Sequence, residues 1–236
     1  MPHLLLMELK LLLRKRITAF SIIAAPLLVG AITWSSRPAE PDEWGRLIAS
    51  NVLLLTLLSV YLVSLTVFTA RRQSFVLKRL RTSTLSDRAL FAGVLGPVVV
   101  VGLGQTVAYL VFCFAVGAPA PSAPLLVVAG VVLCVAVATA LGVATACLSR
   151  SVEATQVTGA PVTMAAVGGL VMTGSSLAGV GLALPLVGPY DLVARGWAAG
   201  LVLDVPVVPL DLASAVLWFT VAGVVISRAF RWEPRS

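Results

Sequence analysis

Apolar residues run along this chain in long unbroken stretches, and polar residues gather in short clusters between them. No Asp, Glu, Lys or Arg falls within 17–36, 47–70, 89–149, 154–190 or 212–227. A helix needs roughly 20 apolar residues to cross the hydrocarbon of a bilayer. The runs predict spans at 17–34 and 47–70. The third run is too long for one helix, and Pro119, Pro121 and Pro124 break it, because proline lacks the amide that continues a helix. It divides into spans at 90–116 and 125–148. Further spans are predicted at 154–174 and 208–227. The stretch 175–206 is apolar but interrupted by Pro185, Pro189, Pro206 and several glycines. It reads as a short helical hairpin dipping into the outer leaflet, where irregular backbone survives only if protein or water satisfies it.

The expected fold is therefore an all-α polytopic membrane protein with six transmembrane helices in one domain over 1–236. Composition agrees: 59% of residues are hydrophobic, 11% are charged, and the mean hydropathy is +1.03. A soluble domain carries about 25% charged residues. The net charge of +7 is explained by topology rather than by nucleic acid. Fourteen of the seventeen basic residues fall on one side of the predicted spans, and only Arg37, Arg46 and Arg195 fall on the other. Cytoplasmic loops carry the excess of Lys and Arg, so both termini are expected in the cytoplasm. Trp34, Trp44 and Trp232 are expected in the interfacial aromatic belt.

The N-terminal 1–16 is Leu-rich and moderately amphipathic, with Leu5, Leu6, Leu9, Leu12 and Leu13 on one helical face. It reads as an interfacial helix. A signal peptide is disfavoured, since no small-x-small cleavage site follows Ile32.

Little catalytic chemistry is available. The single histidine, His3, leaves no triad and no multi-histidine metal site. Cys113, Cys134 and Cys147 lie in apolar runs and read as buried thiols. None of the three lysines follows a glycine, so the usual phosphate-cradling loop is absent from the sequence. No acid or base is expected inside a span, which leaves an ion-coupled carrier without a coupling site. No cofactor or metal is expected on the chain itself.

The segment 71–88 holds the densest information. Val76, Leu77 and Leu80 form an apolar ridge at helical spacing, while Arg71, Arg72, Lys78, Arg79 and Arg81 take the remaining surface. Thr84 and Asp87 are spaced as a capping box opening the third span. Such a helix suits either anionic lipid or the groove of a soluble partner.

The run Leu77-Lys78-Arg79-Leu80-Arg81-Thr82-Ser83-Thr84-Leu85 within 71–86 resembles the coupling helix of the type-2 ABC transporter permease family, bacterial exporters of drugs, antibiotics, polysaccharides and lipids. Gln73 stands where that family often has an acid, and Ser83-Thr84 replaces its Thr-Pro pair. Ala154-Thr155-Gln156-Val157-Thr158-Gly159-Ala160-Pro161 is similar to the family's entry to span five, and Leu184-Pro185-Leu186-Val187-Gly188-Pro189-Tyr190 to its outer re-entrant hairpin. The resemblance implies a permease in the bacterial plasma membrane, paired with a second copy of itself and docked on separate ATPase subunits that carry ATP and Mg. Arg72, Val76, Leu77, Lys78, Arg79, Leu80 and Arg81 are the expected ATPase contacts. Thr56, Ser59, Thr66, Gln156, Thr163 and Gly174 are candidates for a substrate path between subunits, although hydroxyls bonded to carbonyls four residues back account for the same pattern. An ion-coupled secondary carrier, or a membrane scaffold or immunity protein, are the alternative functions.

Overall fold

The computed structural model describes residues 16–74, 87–197 and 207–230, with side chains over 23–74, 93–197 and 208–230. The predicted interfacial helix at 1–16, Trp232 and most of the 71–88 segment lie outside the described residues. Those described are helical, with no strand among them. Helix α1 covers Arg16–Ser35, α2 Trp44–Thr56, α3 Leu62–Gln73, α4 Asp87–Ala115 and α5 Pro124–Leu148. Three more follow, α6 at Thr155–Met172, α7 at Ala178–Leu182 and α8 at Val187–Trp197, and α9 at Val207–Ala229 ends the described chain.

Helices α2 and α3 form one continuous rod, joined by a π-helical turn at Leu57–Tyr61. Among the described residues, four helices are long and apolar enough to cross a membrane: Pro41–Gln73, Gly93–Ala115, Pro124–Leu148 and Val208–Ala229. Helices α1 and α6 occupy the other two predicted positions. At 18 residues, α6 is about 27 Å long, a little short of the roughly 30 Å hydrocarbon core. The predicted hairpin region holds two short helices, α7 and α8.

The core is centred on α5, which touches α3, α4, α6, α8 and α9. Its glycines explain the closeness. A Cβ on Gly142 would stand 2.7 Å from Ser64 Cβ and 2.8 Å from the Tyr61 carbonyl. On Gly130 it would stand 2.8 Å from the Pro189 carbonyl of α8. Ala138 and Ala146, which continue the Gly142 stripe, are fully buried. Small residues let helix backbones approach where hydrocarbon supplies no hydrophobic drive between them. Helix α8 is wedged among α2, α5 and α9. The preceding turn places Leu186 at φ 68°, a left-handed conformation costing a bulky residue about 1–2 kcal/mol; its complete burial offsets that cost.

Polar groups inside the bundle bond across helices. Thr33 Oγ1 of α1 lies 2.8 Å from the Tyr109 hydroxyl of α4 and accepts from Asn51 Nδ2 of α2 at 2.9 Å. The Tyr61 hydroxyl, carried by the π turn, reaches Thr145 Oγ1 of α5 at 3.2 Å and the Gly159 carbonyl of α6 at 3.3 Å. The three cysteines are buried and unpaired with one another. Trp34 is exposed, with Arg37 stacked 3.8 Å over its ring. Trp44 corrects the aromatic-belt expectation. It opens α2 and is buried, because α2 is a core helix at that level.

Adding one methyl at Gly142 should therefore force α5 away from the α2–α3 rod. Gly142→Ala is expected to cost about 1–3 kcal/mol and to lower the melting temperature in detergent. Gly104→Ala, where a Cβ meets nothing within 4 Å, should leave it unchanged or slightly raised.

Candidate functional site

Two polar clusters sit at opposite ends of the bundle. The first lies at the Arg-rich end predicted to be cytoplasmic. Arg72, in the last turn of α3, is only 1% exposed. Its guanidinium donates to the Cys147 carbonyl at 3.2 Å and to the Ser149 carbonyl. These carbonyls close α5, where the last turn has no amide partners of its own and the helix dipole is negative. A cation is thus held by charge-assisted bonds at the one end of α5 that favours it. Ser149 is buried as well and donates to the Thr145 carbonyl at 3.1 Å. The expected ATPase contact Arg72 accordingly turns inward and locks α3 to α5. Val76, Leu77, Lys78, Arg79, Leu80 and Arg81 lie outside the described residues.

The second cluster is built by α8 and the first turn of α9. Arg195 Nε donates to Asp191 Oδ2 at 2.5 Å, one helical turn away, and lies 3.8 Å from Asp211 Oδ2. Asp211 is fully buried, and neither carboxylate oxygen has a hydrogen-bond partner among the described residues. It lies within the candidate span Val208–Ala229, which corrects the expectation that no acid sits inside a span. The uncharged run begins one residue later, at Leu212, so counting charges along the run passes over it. A small cavity of about 150 Å³ adjoins this cluster, lined by Arg46, Thr173, Gly174, Tyr190, Asp191 and Arg195 among others. Burial pushes the Tyr190 phenol above its usual range.

The expected substrate-path residues lie on the α2–α3 rod and on and just past α6. Thr56 and Ser59 are buried in the α2–α3 rod. Thr56, Ser59 and Thr66 donate to the Val52, Leu55 and Leu62 carbonyls at 2.7, 2.6 and 2.7 Å. Thr163 donates to the Gly159 carbonyl at 3.1 Å, and Gln156 is exposed on α6. Gly174 lines the small polar cavity. The pattern of apolar runs does not single out Asp211 or the Asp191–Arg195 pair, although the pair's i,i+4 spacing is a signal of opposite charges meeting on a helix.

A bundle of long apolar helices tied by buried polar contacts defines a multi-pass membrane protein. The family model for the ABC-2 type transporter matches residues 4–177. The chain belongs to that family, whose members are membrane subunits of transporters. No curated protein and no solved structure matches it.

The Arg72 joint makes a quantitative demand. Arg72→Met removes two charge-assisted bonds, each worth about 1.5–3 kcal/mol. It is expected to lower the detergent melting temperature clearly, and Arg72→Lys, which keeps the charge without the fork, should recover only part of the loss.

Proposed function

We propose that this chain is the permease subunit of an ATP-driven exporter. In this reading two copies sit in the bacterial plasma membrane with both termini cytoplasmic. A separate ATPase, carrying ATP and Mg, docks at 71–88 through the ridge of Val76, Leu77 and Leu80 and the basic residues around it. The cargo is hydrophobic or amphipathic, in keeping with spans that carry so little charge. Helices α1 and α6 serve as the first and fifth of six spans, and α7 and α8 form the outer re-entrant hairpin.

The observation that carries this reading is the buried Arg72 joint. In the chain, residues 75–86 follow directly on the end of α3 that Arg72 ties to the end of α5. A force applied to the segment by a partner is then delivered to the central helix rather than dissipated in a free loop. Family membership supports the ATPase as that partner. Asp211 is the residue an ion-coupled carrier would use, but Arg195 already stands 3.8 Å away, where its positive charge opposes a transported cation. The exporter reading is preferred for that reason.

Docking through an apolar ridge and docking through charge make different demands. Each fully buried aliphatic anchor contributes about 1.5–3 kcal/mol. Leu77→Asp combined with Leu80→Asp is expected to weaken capture of the co-expressed ATPase by about 100-fold or more at equal membrane abundance, and to abolish export. Lys78→Ala with Arg79→Ala should weaken capture less, and increasingly little as salt is raised. Normal capture and transport by the double aspartate variant would remove the segment from the coupling role.

A further inference from the structure

A second cavity opens sideways between α4, α5 and α9. Its volume is about 520 Å³, within the roughly 300–1,000 Å³ of small-ligand sites. Leu95 and Val99 of α4, Ala136 and Ala140 of α5, and Phe219 and Ile226 of α9 form its walls. Thr139, which also lines it, spends its hydroxyl on the Val135 carbonyl at 2.7 Å. The groove therefore offers a ligand no free polar group. Its α5 wall runs from Val132 to Val143, a rise of about 16 Å. That is about half the roughly 30 Å hydrocarbon core, the depth of a single leaflet.

The ends of the groove are unequal. Ile226 stands one turn from the end of α9, and Val143 little more than one turn from the end of α5. Arg228 lies in the last turn of α9 and Arg150 two residues past the end of α5, both exposed and neither in an ion pair among the described residues. Arg88 stands seven residues before Leu95 in the chain, at the start of α4. Asp87 adjoins Arg88 and Glu153 follows Arg150 by three residues. Glu153 is held below the usual carboxylate range by the Ser151 hydroxyl, and two acids against three arginines leave this rim net basic. A slot one leaflet deep, without hydrogen-bonding capacity and crowned by cations, fits one class of occupant. We propose that it holds an acyl chain of an anionic phospholipid from the leaflet at the Arg-rich end, with the headgroup under Arg150 and Arg228. The lipid is a resident ligand of the bundle rather than its cargo, and the proposal does not depend on the exporter reading.

The test uses the full chain in nanodiscs of mixed phosphatidylcholine and phosphatidylglycerol. Traces of either lipid carry a diazirine in the acyl chain, and adducts are mapped by mass spectrometry. Adducts are expected on 95–103 and 132–143 at several times the yield on the more exposed α6 face of Val157, Met164 and Val171. Phosphatidylglycerol should exceed phosphatidylcholine several-fold. Ala140→Trp, which fills the groove, should remove the excess. Arg150→Gln with Arg228→Gln should keep the adducts and erase the headgroup preference, so the proposal remains testable if the tryptophan variant fails to fold. Labelling no greater than on α6, an unchanged yield in Ala140→Trp, or no headgroup preference in the unmodified chain would overturn it. So would a benzophenone at Val132 that crosslinks to a second copy instead of to lipid.

Discussion

The close approach of α5 to its neighbours is the constraint on which the rest of the structure depends. Hydrocarbon cannot bond to a backbone and supplies no hydrophobic drive between helices. Contact must therefore come from packing, and packing this tight needs glycine at the crossing points. Gly142 admits the α2–α3 rod and Gly130 admits α8. Gly196 returns the favour from α8, where a Cβ would stand 2.8 Å from both the Val127 amide and Val127 Cγ2 of α5. With α5 held on both sides, the polar groups fall into register. Thr145 is brought under the Tyr61 hydroxyl, and the last carbonyls of α5 under the Arg72 guanidinium.

This arrangement gives each end of the molecule a different character. At the Arg-rich end a buried cation neutralises the negative pole of α5 and fixes the root of the 71–88 segment. At the other end Arg195 stands between two carboxylates and binds the wedge helix α8 to the start of α9. A buried charge left without its partner costs several kcal/mol, so both joints resist separation. Between them the bundle is packed through its centre and cross-linked by the Thr33–Tyr109–Asn51 and Tyr61–Thr145 contacts, while α4 and α9 present much of their surface outward. A permease that rocks or opens under an applied force needs such stiff joints at its ends.

The helices were largely legible in the sequence, because charge exclusion and proline breaks act on the chain directly. Pro119, Pro121 and Pro124 divide α4 from α5 at the expected place. Tertiary placement was less legible. Arg72 belongs to a basic cluster in sequence, yet it is buried, because only the fold brings Cys147 and Ser149 to it. Trp44 begins an apolar run as a belt residue would, but α2 is surrounded at that level. Asp211 borders its run by one position, and its partners come from α8. Of the hydroxyls proposed for a path, Thr56, Ser59, Thr66 and Thr163 bond to carbonyls of their own helix, which the sequence pattern alone does not distinguish from a lining role. The ridge at Val76, Leu77 and Leu80 rests on the sequence pattern, since it lies outside the described residues.

The central claim is that this chain carries the path and a separate subunit carries the energy. ATP turnover tests it most directly, measured on the purified chain in lipid vesicles alone and then with the ATPase co-expressed beside it. The account predicts no turnover by the chain alone, and turnover tied to cargo movement once the ATPase is bound. Sustained ATP hydrolysis by the chain alone, at a rate that survives removal of contaminating ATPases, would contradict it.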